Sequence, residues 1–226
     1  MRRVLAAALL LARKDLAIEF RTKTAFFAAA VFAAVAVAAF YFTWDPTAVP
    51  AADLAPGVLW VIFVFSALLG LNRSFGVEQA DRAIDALLAA PVPREAIFLG
   101  KAAANLLFVL GVQMIAFPFV ALIYGVSLWE IAAPLAGVAI LAGVGVVSVG
   151  TLFSAMAVNT RLAELLLPML ALPFFVPVVV AAGQATALLV SGRPVGEAFG
   201  WLRVLLAFDL VFVFACTVAF PFVVEE

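Results

Sequence analysis

The sequence predicts an all-α integral membrane protein in one domain, residues 1–226, with one interfacial helix followed by six transmembrane helices. Two observations predict this class. Of the 226 residues, 68% are hydrophobic and 12% are charged, whereas soluble domains carry about 25% charged residues. The apolar residues also gather into six runs, each reaching the roughly 17–25 residues that a helix needs to cross about 30 Å of hydrocarbon.

The first element, residues 1–24, is predicted to be an amphipathic helix at the membrane surface. An apolar stripe recurs along it at helical spacing: Leu5, Leu9, Ala12, Leu16 and Phe20. Such a helix buries its stripe at the headgroup boundary while its cations face anionic lipid. The alternative is a charged extension of the first span. Because the apolar part runs into Arg13 and Lys14 rather than a small-residue cleavage site, we expect it to be retained.

Six spans follow, and two of them have unusual compositions. Their predicted limits are 25–43, 55–71, 102–124, 132–158, 165–190 and 201–224. The fourth span contains four glycines with small residues four positions apart, a pattern that permits close helix packing. The fifth contains Pro168, Pro173 and Pro177, so we expect it to bend or break.

The basic residues predict the orientation. Six of them precede the first span, four lie between the second and third, and one lies between the fourth and fifth; only Arg193 and Arg203 fall on the other side. This asymmetry places both termini in the cytoplasm. Trp44, Trp129 and Trp201 then lie at the outer boundary, where tryptophan is favoured.

One connection, residues 72–101, is long and polar. The orientation predicted from the basic residues places this connection in the cytoplasm. It is predicted to hold a short amphipathic helix that ends before Pro91. One face would carry Val77, Ile84, Leu87 and Leu88, and the other Glu78, Asp81, Arg82 and Asp85. The polar face is net acidic and suits anionic headgroups poorly, so the pattern favours docking on a protein partner over lying on the membrane.

The chain offers little chemistry of its own. It contains no histidine and one cysteine, Cys216, inside an apolar run, so the usual general base and the His-based metal and haem ligands are missing. Gly100-Lys101 does not complete a P-loop, because Ala102 replaces the required Ser or Thr. The net charge of −1 gives no basic field for nucleic acid. We expect no catalytic residues, no metal site and no covalently bound cofactor.

Asp209 is the acidic residue that lies well inside a predicted span. A central Asp costs roughly 2.5–3.5 kcal/mol on insertion scales, so it should face the bundle interior and find a partner. Polar residues of other spans are the candidates: Gln113, Asn105, Thr151, Ser148 and Ser154. We predict an intramembrane polar site of Asp209, Gln113 and Asn105, which either lies on a substrate path or holds helices together by hydrogen bonds.

Several segments together resemble one family. They are Leu54–Trp60 (LAPGVLW), Leu69–Phe75 (LGLNRSF), Asp85–Pro93 (DALLAAPVP), Leu99-Gly100-Lys101, Arg13–Leu16, and Arg161 with the prolines that follow it. In these segments the chain resembles the haem exporter protein B family, the permease subunit of the cytochrome c maturation ABC transporter. It departs from better-known members at Asn72, where an acidic residue is common.

The resemblance implies a six-span ABC-2 type permease in the cytoplasmic (inner) membrane. Its partners would be a separate ATP-binding cassette subunit, which binds the ATP, other cytochrome c maturation membrane subunits, and membrane lipids. Haem would be a candidate substrate, without a histidine ligand in this chain. The predicted coupling helix would dock on the ATPase through Val77, Glu78, Asp81, Arg82, Ile84, Asp85, Leu87 and Leu88.

Three other functions fit the composition. The first is an ABC-2 type exporter permease for a lipid, glycan or drug. The second is a stand-alone ion-coupled carrier, which would need charged groups along its spans. The third is a structural membrane scaffold.

Overall fold

The computed structural model describes residues 2–80, 92–157 and 163–224, and every regular element in these ranges is an α-helix. The helices are α1 (Arg2–Thr22), α2 (Thr24–Thr43), α3 (Ala51–Ala80), α4 (Arg94–Tyr124), α5 (Ala132–Ala157), α6 (Ala163–Val190) and α7 (Val195–Val224). Six of them, α2 to α7, are long and apolar enough to cross a membrane. The predicted fold class is confirmed, and the chain is a multi-pass membrane protein.

The helices extend beyond the predicted spans at several ends. The membrane-spanning part of α3 ends at Asn72, but the helix continues to Ala80. Likewise α4 begins at Arg94 rather than at residue 102, and α7 at Val195 rather than at 201. Hydropathy marks only the part of a helix that crosses hydrocarbon, whereas helical hydrogen bonds continue into polar sequence.

Of the bend or break expected from the three prolines of α6, the break does not occur. The helix runs from Ala163 to Val190 with Pro168, Pro173 and Pro177 inside it. Pro173 and Pro177 are exposed on the outside of the bundle. Transmembrane helices tolerate proline because local adjustments and neighbouring polar groups satisfy the freed backbone carbonyls.

The bundle is organised around α3 and α5, which have the largest buried shares of the six spans. Helix α5 packs against α3, α4, α6 and α7. Small residues allow these close contacts, as the sequence predicts: a methyl group on Gly143 would lie 2.7 Å from the Leu106 side chain of α4, and one on Gly150 would overlap Leu71 of α3. Cys216 is buried and free.

Side-chain hydrogen bonds reinforce the packing between spans. Ser154 Oγ donates to the backbone carbonyl of Leu71 at 2.8 Å, joining α5 to α3. Trp60 Nε1 donates to Thr186 Oγ1 at 2.9 Å, joining α3 to α6. Each bond contributes about 0.6 kcal/mol on average inside a membrane. These bonds hold the central helices in register.

The two ends of the bundle differ. At one end the rings of Trp44 and Tyr124 lie 5.5 Å apart, beside Tyr41; we term it the tryptophan end. At the other end the rings of Phe98 and Phe220 lie 5.5 Å apart, near α1 and the end of α7; we term it the terminus end. The positive charge of the sequence predicts that the terminus end faces the cytoplasm.

Helix α1 packs along the start of α4 at the terminus end. Gly100 permits the contact, since a methyl group there would lie 2.8 Å from the backbone oxygen of Ala8. Ala8 and Ala12 are buried by the contact, while Leu5, Leu9 and Phe20 are exposed. The predicted stripe therefore points mainly away from the protein, as expected for a helix that rests on lipid.

A tight corner joins α1 to α2. Glu19 of α1 accepts a hydrogen bond at 3.0 Å from the backbone N–H of Phe26, so its carboxylate caps the first turn of α2. Lys23 lies between the two helices in the left-handed region, with φ of 54°. A carboxylate at a helix N-terminus satisfies an orphan N–H and the helix dipole together. The direction of α1 is thereby tied to that of α2.

Candidate functional site

The predicted coupling helix falls mostly outside the described residues. Asp81, Arg82, Ile84, Asp85, Leu87 and Leu88 all lie there, while Val77 and Glu78 belong to the last turns of α3. The described backbone still shows how this segment is attached. Helix α3 continues for eight residues beyond Asn72, about 12 Å at 1.5 Å per residue, without leaving the helical conformation. The described start of this segment, Val77 and Glu78, is thus continuous with a central span.

A partly buried ion pair lies at the terminus end, close to the other end of the same connection. Lys101 Nζ lies 3.4 Å from Asp15 Oδ2, and Asp15 Oδ1 lies 3.1 Å from Lys14 Nζ. The Lys101 side chain is only 2% exposed and that of Asp15 is 19% exposed. The pair links α1 to α4 at the terminus end.

The three residues of the predicted intramembrane site do not hydrogen-bond to one another. Asn105 Nδ2 donates to Thr151 Oγ1 at 3.0 Å, joining α4 to α5. Gln113 is buried on α4, and neither its amide nitrogen nor its oxygen has a partner. Asn105 is accordingly a helix-packing residue in this structure, whereas the amide of Gln113 remains unsatisfied.

Asp209 faces the bundle interior, as expected, and is 6% exposed. Neither carboxylate oxygen accepts a hydrogen bond. The side chain lies against Gly145 of α5, where a methyl group would be 2.8 Å from Oδ1. Ser148 and Ser154 donate to backbone carbonyls instead. The hydrogen bond between helices that the sequence offered as one explanation of Asp209 is not formed.

Sequence reasoning missed two residues that shape these sites. Gly145 leaves the space that Asp209 occupies, and the glycine pattern of α5 was the only signal for it. Asp15 pairs with Lys101, which is 86 residues away in the sequence. No local sequence pattern predicts this pair. Among the described residues, no three of His, Cys, Asp and Glu form a group that could hold a metal ion.

Comparison with known proteins gives consistent similarities. A family model described as CcmB protein matches residues 6–226. The chain is 32% identical to heme exporter protein B of Rhodobacter capsulatus over 176 residues, covering 76% of this chain and 78% of that protein. It is 29% identical to heme exporter protein B of Pseudomonas aeruginosa, covering 80% of each chain. The protein of that name from Bradyrhizobium diazoefficiens is 27% identical, covering 89% of this chain and 90% of its own.

Proposed function

Because the chain belongs to the CcmB protein family, we propose that it is the permease subunit of an ABC transporter that serves cytochrome c maturation. The relatives named heme exporter protein B support haem export as its function. The finer alternative within the same function is ATP-driven release of a haem-loaded chaperone at the outer face. Because the chain has no histidine, haem enters this proposal as a substrate and not as a ligated cofactor.

The family match is the observation that carries the proposal, and the unbroken course of α3 supports its mechanism of coupling to an ATPase. The helix packs against α2, α4, α5 and α6 and then extends beyond its span toward the predicted coupling segment. A force applied to that segment would reach the centre of the bundle through one rigid element. Rigid-body movement of packed helices is an established kind of switch.

The partners follow from this mechanism. A separate ATP-binding cassette subunit would bind and hydrolyse ATP and act on the coupling helix, and the other membrane subunits of cytochrome c maturation would handle haem. The complex would lie in the inner membrane with both termini of this chain in the cytoplasm. This chain would perform no catalysis.

The exposed connections at the tryptophan end are short, which fits a subunit that leaves chaperone and haem handling to other proteins. The helices there are joined by residues 44–50, 125–131 and 191–194. None of these is long enough to form a domain. In addition, Lys101 and Asp209 are the charged side chains buried in the described spans. A stand-alone ion-coupled carrier would need more charged groups along its spans.

Deletion of the gene tests the proposal. We expect loss of the covalently haem-stained c-type cytochromes in membrane fractions, with restoration by the gene in trans. The b-type cytochromes, which hold haem without a covalent bond, serve as the control and should stay at their normal level. Unchanged c-type bands would contradict the function. So would substrate transport by the purified chain alone, without nucleotide.

We expect Asp209→Asn to lower cytochrome c maturation about tenfold, equivalent to about 1.4 kcal/mol, without lowering the amount of protein in the membrane. The amide is nearly isosteric and costs less to bury than a carboxylate. No hydrogen bond of the carboxylate is lost, so a purely structural role predicts no defect. Ser148→Ala is the matched control, because that hydroxyl only donates to Val144 of its own helix. If the Asp209→Asn variant made normal amounts of c-type cytochromes at a normal level of the variant protein, the carboxylate charge would have no role in the mechanism.

A further inference from the structure

We propose that the crevice between α1, α2 and α4 binds one acyl chain of an anionic phospholipid, with Lys23 placed to hold the lipid phosphate. The crevice has a volume of about 560 Å³. It lies at the terminus end, where the interfacial helix α1 turns into the first span. The proposal depends on the membrane fold and not on the transported substrate.

The walls of the crevice are almost entirely apolar. Phe20 of α1, Phe26 and Phe27 of α2, and Leu107 and Phe108 of α4 form most of its lining. Phe20, Phe27 and Leu107 are each more than half exposed, so the crevice is open toward the lipid side of the bundle. A cleft of this kind in a membrane protein is filled by a hydrocarbon chain, because the alternative is an empty apolar cavity.

The depth of the crevice matches one leaflet. Lys101 contacts Asp15 of α1 and marks the level of the interfacial helix. Gly111, ten residues further along α4, lines the deep end, which places it about 15 Å from that level at 1.5 Å per residue. This is half of the roughly 30 Å hydrocarbon thickness. A chain that enters at α1 would therefore reach about to the midplane.

The charges at the mouth select the headgroup. Lys23 lines the crevice, is exposed, and forms no ion pair among the described residues. The neighbouring carboxylate of Glu19 accepts the Phe26 N–H and is drawn toward the first turn of α2. The other acid of α1, Asp15, is paired with Lys14 and Lys101. The remaining basic residues of α1 thus present net positive charge to the headgroup layer, which complements an anionic phosphate.

A transmembrane helix of a partner subunit is the competing occupant, and the lining favours lipid. Apart from Glu19 and Lys23 at the mouth, the lining offers no polar side chain with which a partner helix could form the hydrogen bonds that commonly join membrane helices. Such a helix would also need an acidic residue opposite Lys23. An anionic lipid supplies a phosphate at that level with no choline cation to compete with Lys23.

Photolabelling of the full chain in nanodiscs tests the proposal. The discs contain phosphatidylcholine with a small fraction of a phosphatidylglycerol that carries a diazirine in the middle of one acyl chain. Parallel discs carry the same photoreactive chain on phosphatidylcholine. After irradiation, labelled peptides are identified by mass spectrometry. We expect labelling near Phe26, Leu107 and Gly111, about fivefold stronger with phosphatidylglycerol, the factor that corresponds to about 1 kcal/mol for one basic residue at the surface.

Two variants distinguish recognition of the lipid headgroup from binding of the acyl chain. Lys23→Asn removes the cation, and Asn tolerates the left-handed backbone at this position. The preference for phosphatidylglycerol should therefore disappear. Arg13→Gln lies on α1 but outside the crevice lining, so this matched control should keep the preference. Gly111→Leu fills the deep end, since even a methyl group there lies 3.3 Å from the Phe26 ring, and should abolish labelling of α4. Gly57→Leu, with open space around it, should leave that labelling intact.

Three results would overturn the proposal. The first is labelling that is spread evenly over all spans, and the second is equal labelling by the two lipids. The third is cross-linking of a photoreactive amino acid at Leu107 to another protein instead of lipid in intact cells. The comparison of the two lipids uses the wild-type chain, so it decides the matter even if a variant fails to fold.

Discussion

Cells that carry the double substitution Ile84→Glu and Leu87→Glu are expected to lose copurification of the ATP-binding subunit with this chain, and to lose c-type cytochromes as completely as a deletion strain. The apolar side chains are the predicted anchors of the coupling helix, and anchors buried in a partner carry most of an interface's energy, often 2 kcal/mol or more each. Two buried carboxylates in their place would add the cost of desolvating charge. The measurement is affinity purification of the tagged chain from detergent extracts.

A matched pair of conservative substitutions controls for folding. Ile84→Val and Leu87→Met keep the apolar character and approximate volume, so the ATPase should still copurify. Substitution on the polar face, such as Asp81→Asn, should weaken recovery only modestly, because rim contacts contribute little. Full recovery of the ATPase with the double glutamate variant would exclude the docking role, and accessibility of this segment from the periplasm would exclude the orientation.

We expect Asp15→Ala to destabilise the folded chain by about 2–3 kcal/mol, at or below the low end for removing one partner of a buried ion pair. The substitution takes away the carboxylate that faces the nearly inaccessible ammonium of Lys101, while the partial exposure of Asp15 moderates the loss. For a chain of this size the melting temperature should fall by about 5–10 °C. Thermal unfolding of the detergent-solubilised protein, followed by size-exclusion chromatography, measures it.

The double variant Asp15→Ala with Lys101→Met isolates the ionic contribution. Replacing both charges with apolar groups is often close to neutral for a buried pair, so most of the lost stability should return. Glu197→Ala is the control for an exposed pair, because Arg193 and Glu197 lie 3.0 Å apart but are both largely exposed; its cost should stay below about 1 kcal/mol. If the single Asp15 variant were as stable as that control, the ion pair would not hold α1 in place.

The sequence predicts what depends on local pattern. The spans follow from hydropathy, and the inward orientation of Asp209 follows from the cost of a charge in hydrocarbon. The glycines of α5 predict close packing of that helix, because small residues are where membrane helices approach closely. In each of these cases one segment contains the physical reason for its own placement.

The features that the sequence does not predict depend on which helices meet. In the sequence, Gly100 resembles part of an incomplete nucleotide-binding motif. In the structure, it is the point where α4 contacts the backbone of α1. No sequence pattern singles out Glu19, yet its carboxylate caps the next helix. Likewise, Asn105 is a plausible partner for Asp209 on polarity alone, but its position on α4 brings it to Thr151. Side chains with several compatible partners are assigned only by the packing.

The attachment of α1 has a consequence for how the protein fits its bilayer. The helix is attached to α4 by the Lys101–Asp15 pair and to α2 by the Glu19 cap, so we expect its position along the membrane normal to follow that of the spans. In a bilayer thicker or thinner than the bundle, α1 would be drawn out of or pushed into the headgroup layer, exposing Leu9 and Phe20 to water or its arginines to hydrocarbon. Mismatch costs a fraction of a kcal/mol per ångström, so we expect the stability of the chain to vary with the acyl length of its host lipids.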